Sequence, residues 1–503
     1  MCYKIKHVNI LYKKEIDKCT FELRERGMKF YMDIKLKDII NICNAKLIFG
    51  NEDIICENFS KDTRTIQEND VYVGIKGENF DGNMLYEEAL KKGAKVCILQ
   101  GMNAEDFEEN IEKSYKNDKE IIIVENTIEA LQQIASYKRS LYNIPVIAIT
   151  GSVGKTSTKD IIASVVNEEF DVLKTQGNLN NHIGVPLTIL GLKNHKALVV
   201  EMGMNNLGEI SVLSKIAKPD IAVITNVGTS HIGNLGSREN ILKAKLEILD
   251  GLKDNGVLII NNDNDLLNSW AKTYNGNVKI ITYGIENKSD IMAKNIVQNE
   301  NSSEFDVSFF NEIYGDFEKN VIVPVGGKHF VYNALSAICV GIQLKIQFSK
   351  IRDGIYKFEL TKNRMEIEKI NNITIINDCY NANYDSMKAG IENLARLQGK
   401  RKIAILGDML ELGEFSKDLH CKVGEEVAKN KIDILITVGN ESKNIAETAK
   451  KHGMNEENIF IFENNNQVIN LINKIKKDDD CILIKASNGM HFIELVNNLK
   501  TGE

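Results

Sequence analysis

Most strands of this chain are predicted from uninterrupted apolar runs rather than from alternating ones. In the middle of the chain these runs are PVIAIT, ALVVEM, DIAVITNV, GVLIIN and VKIITY. Solid apolar runs of this length are typical of parallel strands that helices cover on both faces. The last third repeats the pattern with TIIND, KIAILG, DILITVG, NIFIF and CILIKA, separated by helical stretches. The sequence therefore predicts an α/β fold built on parallel sheets.

The length and the changes of pattern along the chain predict three domains after a short extension. A chain of 503 residues is too long for one compact core, and domains of ~150 residues would give about three. Residues 1–31 are charged and weakly periodic, so we expect an extension there, with Met32 as the true start. We predict a small α/β domain over 32–142, a central parallel-sheet domain over 143–360 and a C-terminal Rossmann-like domain over 361–503.

The composition is that of an ordinary globular protein, with 43% hydrophobic and 26% charged residues. The net charge is -7, whereas binders of nucleic acid or anionic membranes are usually basic, so neither partner is expected. Nine scattered cysteines without CxxC or Cys/His ligand spacing predict reduced thiols. No apolar run approaches the ~18 residues of a membrane span, and no secretory signal is found. We expect a cytoplasmic monomer.

The strongest chemical motif is a glycine turn between a predicted strand and a predicted helix. It reads TGSVGKT over Thr150–Thr156, after VIAI and before STKDIIASVV. This context is typical of a phosphate loop, in which backbone N–H groups and a helix N-terminus surround phosphate oxygens. Lys155 would reach the β- and γ-phosphates of ATP, and the Thr156 hydroxyl would bind Mg²⁺. The other predicted ATP contacts in this turn are Gly151, Ser152, Val153, Gly154 and Ser157.

A glycine-rich turn that binds nothing is the alternative interpretation, and Ile149 stands where the standard GxxxxGK[ST] loop has its first Gly. The shorter TGxxGKT form is that of Mur ligases and folylpolyglutamate synthetases. Seven further blocks resemble Mur ligase motifs and follow in order: Gln176–Pro186, Glu201–Ile210, Thr225–His231, Gly236–Glu239, Lys243–Glu247, Asp378–Asn383 and Gly407–Glu414. From Met32 onward, the chain is similar to the Mur ligase family, and within it to the ligases that add D-alanyl-D-alanine.

This resemblance implies a magnesium site formed by Thr156, Glu201 and His231. Oxygen ligands and bridged phosphates suit Mg²⁺, which supports the first two residues independently. A lone histidine is more often an ordinary loop residue. The position of His231 after the run AVITNV, at the carboxyl edge of a parallel sheet, favours a role in ligand binding.

Lys245 lies on a predicted apolar stripe, since its neighbours three and four positions away are Ile241, Leu242, Ile248 and Leu249. Such a lysine can simply extend to water. Burial, however, lowers the pKa of an amine and frees it to react with CO₂. The resemblance implies a carbamylated Lys245 that helps to hold a second Mg²⁺. The predicted catalytic set is Lys155, Glu201, His231 and Lys245.

The resemblance also implies residues that bind the substrates. Residues assigned to the uridine-diphosphate end are Asp62, Thr63, Arg64, Phe80, Asp81 and Gly82. A charged turn and a glycine hinge would explain the same residues without a ligand. Further substrate contacts are expected from Asn178, Asn181, Tyr380, Asn381 and Asn383, and further nucleotide contacts from Asn333, Arg364 and Asp378.

Four residues depart from the family motifs, and none lies in the phosphate loop or the metal set: Phe330 and Asn377 replace an Asn and an Asp, and Tyr384 and Asn488 replace a Pro and an Arg. Phe330 therefore lacks the amide expected to contact the nucleotide. Asn488 lacks the charge with which the family's Arg would bind an anionic group.

The activity implied by the resemblance is an ATP-dependent amide ligase of peptidoglycan precursor synthesis. It would join D-alanyl-D-alanine to UDP-MurNAc-tripeptide through an acyl-phosphate, giving UDP-MurNAc-pentapeptide, ADP and phosphate. One alternative is a sibling ligase that adds diaminopimelate or lysine, although its DNPR-type motif is missing from the sequence. The other is a non-catalytic nucleotide switch, which would not need Glu201, His231 and Lys245.

Overall fold

The computed structural model describes residues 33–102, 118–309, 319–361, 363–370 and 372–501. The predicted extension over 1–31 and the predicted start at Met32 lie outside these residues. Within the described ranges, no helix has both the length and the apolar character that crossing a membrane would require.

The chain divides into two compact units. Of the described residues, those before Ile144 and Ile189–Lys196 form the first unit, and Ile144–Thr188 and those from Ala197 onward form the second. The second unit contains two separate sheets of nine and six strands. Parallel strands and helices occur throughout, which confirms the predicted α/β class, while the three predicted domain limits stay predictions.

A five-stranded sheet and a separate strand pair form the first unit. The strands are Ile34–Lys35 (β1), Lys46–Phe49 (β2), Ile55–Cys56 (β3), Phe59–Ser60 (β4), Val71–Val73 (β5), Val96–Leu99 (β6) and Glu120–Ile123 (β7). The helices are Leu36–Cys43 (α1), Tyr86–Lys91 (α2) and Thr127–Ser140 (α3). The sheet order is β2-β7-β6-β5-β4, in which only β2 is antiparallel to its neighbour, and β1 pairs with β3.

The larger sheet of the second unit contains the phosphate loop. Its strands are Val146–Thr150 (β8), Val172–Lys174 (β9), Ala197–Glu201 (β10), Ile221–Ile224 (β11), Val257–Asn261 (β12), Lys279–Gly284 (β13), Ile291–Gln298 (β14), Ser303–Phe309 (β15) and Lys319–Val323 (β16). The order is β16-β15-β14-β13-β12-β11-β8-β10-β9; the pairs β14-β15 and β15-β16 are antiparallel, and all other neighbouring pairs, including β13-β14, are parallel. The helices along this stretch are Lys155–Asn167 (α4), Gly184–Leu190 (α5), Glu209–Ala217 (α6), Ile232–Leu235 (α7), Arg238–Leu246 (α8), Asp265–Thr273 (α9), Lys328–Gln343 (α10) and Phe348–Tyr356 (α11).

The six-stranded sheet is the smaller sheet of this unit. Its strands are Glu366–Ile370 (β17), Ile373–Asn377 (β18), Arg401–Gly407 (β19), Ile434–Val438 (β20), Ile459–Phe462 (β21) and Asp480–Lys485 (β22). They lie in the order β17-β18-β22-β19-β20-β21, and only β17 is antiparallel. The helices are Tyr384–Arg396 (α12), Ser416–Lys429 (α13), Lys443–Lys451 (α14), Asn465–Ile475 (α15) and Ile493–Thr501 (α16).

Three neighbouring strands of the nine-stranded sheet bring three of the four predicted catalytic residues, Lys155, Glu201 and His231, to one edge. Every residue of β8, β10 and β11 is buried, as their apolar runs predict. In the order β11-β8-β10 these strands are parallel, so their carboxyl ends lie at one edge of the sheet. The phosphate loop, Glu201 and the segment that leads to His231 all begin at that edge.

Candidate active site

Two glycines set the path of the phosphate loop between β8 and α4. Gly154 has φ 78° at the start of α4, in the left-handed region that glycine adopts without strain. Gly151 has φ 157°, and a Cβ atom there would lie 1.8 Å from the Thr225 Oγ1 atom. Thr225 is itself fixed, since its hydroxyl donates to the Val153 carbonyl at 2.8 Å. The tight turn therefore depends on glycine at both positions.

Asn226 fixes the same loop through both its backbone carbonyl and its side chain. The Ser152 N–H donates to the Asn226 carbonyl at 3.1 Å, and the Val153 N–H donates to Asn226 Oδ1 at 3.0 Å. These two amides, which we predicted to surround phosphate, are thus used within the protein. No side chain of the described residues caps the first turn of α4. Its N–H groups and its dipole are left for an anion.

Lys155 is half-buried and lies over the loop that contains it. Its Nζ donates to the Gly151 carbonyl at 2.8 Å. Burial lowers the pKa of Lys155, the charge of Glu201 raises it, and Arg364 lowers it. Arg364 also lies close to Thr156, with 3.4 Å between Nη2 and the Thr156 hydroxyl. Two cationic side chains and a hydroxyl therefore converge beside the start of α4.

Glu201, the last residue of β10, is only 1% exposed. Its Oε1 accepts a hydrogen bond of 2.8 Å from Asn180 Nδ2, and its Oε2 has no partner among the described residues. A buried carboxylate oxygen without a donor, lining the same cleft as Thr156, fits a hard cation such as Mg²⁺. Within the described residues, no cluster of three or more His, Cys, Asp or Glu side chains could hold a metal alone. The phosphates of ATP would have to complete such a site.

The sequence analysis did not predict a role for Asn180, although it predicted substrate contacts for its near neighbours Asn178 and Asn181. It contacts the Glu201 carboxylate, and its carbonyl accepts from the Gly203 N–H at 2.8 Å. The repeated asparagines were the only signal in the sequence. They could not show which side chain faces the carboxylate.

His231 follows β11 in a left-handed conformation, with φ 61°. Its Nδ1 lies 2.8 Å from a carboxylate oxygen of Glu411, which belongs to the segment after β19. This contact lowers the pKa of Glu411. A carboxylate beside one ring nitrogen of a histidine leaves the other nitrogen for a ligand, an arrangement common around metal-binding histidines.

Lys245 is 1% exposed, in agreement with the apolar stripe seen in the sequence. Burial lowers its pKa well below the ordinary value, and the charge of Lys155 lowers it further. Among the described residues, no carboxylate lies within 4.0 Å of its ammonium group. The influence of the Lys155 charge places the Lys245 amine in the neighbourhood of the phosphate loop.

Most of the other predicted residues line a cleft of about 520 Å³ in the second unit. The predicted residues that line it are Ser152, Val153, Gly154, Lys155, Thr156, Ser157, Asn178, Asn181, Glu201, His231, Asn333, Arg364, Asp378, Tyr380, Asn381 and Asn383. Gly151 and Lys245 lie outside its lining. Asn180, Glu411 and Lys485 line it without having been predicted.

The smaller sheet contributes a set of stacked and paired charges to this cleft. The Arg364 guanidinium lies over the Tyr380 ring, 3.7 Å from its centroid. Asp378 is engaged on both oxygens, since Lys485 Nζ donates to Oδ2 at 2.6 Å and the Met365 N–H donates to Oδ1 at 3.1 Å. Lys485 is 1% exposed and was missed because it ends the otherwise apolar run CILIK. Asp378 and Tyr380 thus shape the cleft through protein contacts.

Phe330 forms an apolar wall where the family motif has an amide. It is 1% exposed and packs on His329, with ring centroids 4.2 Å apart. Burial, together with the charges of Arg396 and Lys485, lowers the pKa of His329 to about 4, so its imidazole is neutral at pH 7.

Asn333 Oδ1 accepts from Thr158, while its buried Nδ2 has no partner in the described part of the chain.

The other three departures take structural roles. Asn377 Nδ2 donates to Asn363 Oδ1 at 2.9 Å, within the region of the smaller sheet (residues 363–501). Tyr384 begins α12. Asn488 Nδ2 donates to the Tyr380 carbonyl at 3.2 Å, so this residue holds the backbone under the Arg364–Tyr380 stack.

In the first unit, the predicted charged turn forms a local ion pair. Arg64 Nη2 lies 2.6 Å from Asp62 Oδ2, and this contact lowers the pKa of Asp62 to about 2. Thr63 is buried and donates to Glu88 at 3.0 Å.

The second predicted block of this unit combines a fixed turn with an exposed ring. Asp81 caps the short 3-10 helix Gly82–Leu85 by accepting from the Asn83 N–H. At Gly82, a Cβ atom would lie 2.7 Å from the Ile75 carbonyl. Phe80 is 60% exposed, which leaves its ring open for stacking.

Comparison with known proteins agrees with this geometry. Three family models match the chain: the Mur ligase middle domain over residues 149–341, the Mur ligase glutamate ligase domain over 363–488, and the Mur ligase family catalytic domain over 58–139. A relative from Bacillus subtilis, UDP-N-acetylmuramoyl-tripeptide–D-alanyl-D-alanine ligase, is 37% identical over 89% of this chain and 94% of its own length. The chain belongs to the Mur ligase family.

Solved structures resemble this Mur ligase over most of its length. A crystal structure of MurF from Acinetobacter baumannii aligns with a TM-score of 0.80 and 27% identity, over 94% of this chain and 99% of that one. MurF from Thermotoga maritima, in complex with ADP, aligns with a TM-score of 0.75 and 27% identity, over 88% and 97%. The three-part α/β architecture of this Mur ligase is therefore that of the MurF structures.

Proposed function

We propose that this Mur ligase acts in the cytoplasm, where it uses ATP to join D-alanyl-D-alanine to UDP-MurNAc-tripeptide. The products are UDP-MurNAc-pentapeptide, ADP and phosphate. The relative from Bacillus subtilis is named for this activity, and the aligned structure from Thermotoga maritima is a complex with ADP. All seven cysteines in the described residues are free, as suits a reducing compartment.

One observation carries the proposal: the free Glu201 oxygen, the Thr156 hydroxyl and the Lys155 ammonium all face one cleft beside an uncapped helix start. A Mg²⁺ held by Thr156, Glu201 and His231 would neutralise charge on the ATP phosphates. The tripeptide carboxylate attacks the γ-phosphate of ATP, and ADP leaves. Lys155 and the N–H groups of α4 stabilise the charge that develops on the phosphate oxygens.

The second step forms the amide. The free amine of D-alanyl-D-alanine attacks the acyl-phosphate, the carbon–nitrogen bond forms, and phosphate leaves with the electron pair of the broken carbon–oxygen bond. Arg364, stacked on Tyr380 and pointing toward Thr156, is placed to hold phosphate oxygens. The buried Phe330 ring gives one part of the cleft lining an apolar surface, and exclusion of water there would protect the intermediate from hydrolysis.

The test is phosphate release from ATP by the purified protein. We expect release to require both UDP-MurNAc-tripeptide and D-alanyl-D-alanine, because the γ-phosphate is transferred only to the tripeptide and freed by the dipeptide. Tripeptides with diaminopimelate and with lysine at the third position should both be assayed. Release that is independent of both substrates would favour a nucleotide switch, and dependence on free diaminopimelate or lysine would favour a sibling ligase.

We also propose that Lys245 is carbamylated in the active protein. Its amine is buried, has a strongly lowered pKa and has no carboxylate partner among the described residues, so the neutral form that reacts with CO₂ is favoured. With ¹³C-bicarbonate, we expect one protein-bound carbamate signal that is lost in Lys245→Met. The exposed residue Lys243 provides the matched control, and Lys243→Met should keep the signal. A signal of equal size in Lys245→Met would contradict the assignment.

A further inference from the structure

Three successive residues after β11, Thr229 to His231, each contact a different residue of the region of the smaller sheet (residues 363–501). The first contact is made by Asp385, in the first turn of α12. Its Oδ2 accepts from the Thr229 N–H at 3.1 Å and lies 3.3 Å from the Thr229 hydroxyl. One carboxylate oxygen therefore fixes both the backbone and the side chain of Thr229.

The second contact links the segment to the phosphate loop. Asn383 Nδ2 donates to the Ser230 hydroxyl, and that hydroxyl donates to the Ser152 carbonyl at 3.0 Å. Asn383 Oδ1 accepts from the Ser386 N–H and caps α12. Both ends of the Asn383 amide are thus used within the protein. Asn383 also lines the cleft, and its predicted substrate contact stays a prediction.

The third contact is the one between His231 and Glu411, whose carbonyl also accepts from the Gly233 N–H at 3.2 Å. Glycines on both sides of the segment permit these approaches. A Cβ atom at Gly228 would lie 2.2 Å from Asp385 Oδ2, and one at Gly233 would lie 2.7 Å from the Glu411 carbonyl. The segment around His231 therefore packs tightly against Asp385 and the Glu411 backbone.

We infer that Asp385 is a positioning residue for the ligation reaction, and this inference rests on the proposed function. Asp385 acts through the Thr229 backbone, which sets the direction of the segment that ends in His231. The same segment is hydrogen-bonded to Ser152 of the phosphate loop. A merely structural contact would stabilise the fold without affecting turnover. A positioning contact changes kcat, because small displacements of reacting groups cost as much as about a hundredfold in rate.

The experiment compares Asp385→Ala, Asp385→Asn and Glu392→Ala. Glu392 is an exposed acid on the same helix and serves as the matched control. Hydrogen–deuterium exchange of the 226–233 segment reports the contact directly, without nucleotide or metal. Steady-state ADP formation gives kcat and the KM for ATP, and thermal melting verifies folding.

For Asp385→Ala we expect the Thr229 amide to exchange at least about tenfold faster and kcat to fall about ten- to a hundredfold, with little change in the KM for ATP. Asp385→Asn keeps an acceptor oxygen for the Thr229 N–H and should recover most of the kcat. Glu392→Ala should match the unaltered protein. If Asp385→Ala does not fold, Gly228→Ala displaces the same carboxylate from the opposite side and should show the same loss of kcat.

An unchanged kcat in folded Asp385→Ala, with or without faster exchange, would overturn the inference. So would an equal loss of kcat in Asp385→Ala and Asp385→Asn, because the acceptor oxygen would then be irrelevant. A lack of ligation by the unaltered protein would instead contradict the proposed function, and the exchange data would still report the contact between Asp385 and Thr229.

Discussion

Lys155→Met is expected to lower kcat for pentapeptide formation by about a thousandfold or more, the largest loss of any single substitution in this protein. Methionine has a similar length and keeps the packing of the half-buried chain, so the change removes mainly the charge and the donors. One preorganised donor to developing charge contributes on the order of a hundred- to a thousandfold in rate. Lys155 supplies a full charge in the phosphate loop, where two of the amides are already bound to Asn226.

The measurement is single-turnover formation of ADP and of pentapeptide, with Lys243→Met as the control for loss of an exposed lysine. The melting temperature of Lys155→Met should stay the same or rise, because burial lowers the pKa of this lysine and its charge therefore costs folding free energy. Joining of D-alanyl-D-alanine at more than about a tenth of the normal rate would remove the basis of the proposed mechanism.

Glu201→Gln is expected to have the second largest effect, a fall of about a hundred- to a thousandfold in kcat together with a higher requirement for Mg²⁺. The amide oxygen of Gln can still accept from Asn180, which directs the NH₂ group to the side of the unpartnered Oε2. A donor would then stand where a cation needs an acceptor. The substitution is isosteric, so the fold should be retained.

For Glu201→Gln, the dependence of ADP formation on Mg²⁺ should be combined with Mn²⁺ binding in the presence of ADP, followed by electron paramagnetic resonance. We expect weaker Mn²⁺ binding in Glu201→Gln and normal binding in Glu239→Gln, which alters an exposed acid. Equal Mn²⁺ affinity in both variants would exclude Glu201 as a metal ligand.

The sequence predicted the fold well because the relevant signals are local. Solid apolar runs gave the buried parallel strands, such as β8 and β10, and the glycine turn gave the phosphate loop. The burial of Lys245 could also be predicted, since helical periodicity places it among Ile241 and Ile248.

What the sequence could not show were polar contacts between distant segments. Asp385 and Thr229 are 156 positions apart, and Lys485 and Asp378 are 107 positions apart. Loop residues have no periodicity that reveals their partners, so Asn180, an unremarked neighbour of two selected residues, proved to hold the Glu201 carboxylate. The same limit hid the protein partners of Asn383, whose amide is bound at both ends, while its predicted substrate contact stays a prediction.

The close approach of Thr225 to Gly151 restricts how this protein can evolve under selection by an inhibitor. Every single-base change of a glycine codon that replaces the residue adds at least one carbon atom, and at Gly151 that atom would meet the Thr225 hydroxyl at 1.8 Å. Thr225 cannot turn away without giving up the Val153 carbonyl. A compound that occupies the phosphate-binding turn would therefore face few viable resistance mutations at this residue, and escape would have to arise at other positions.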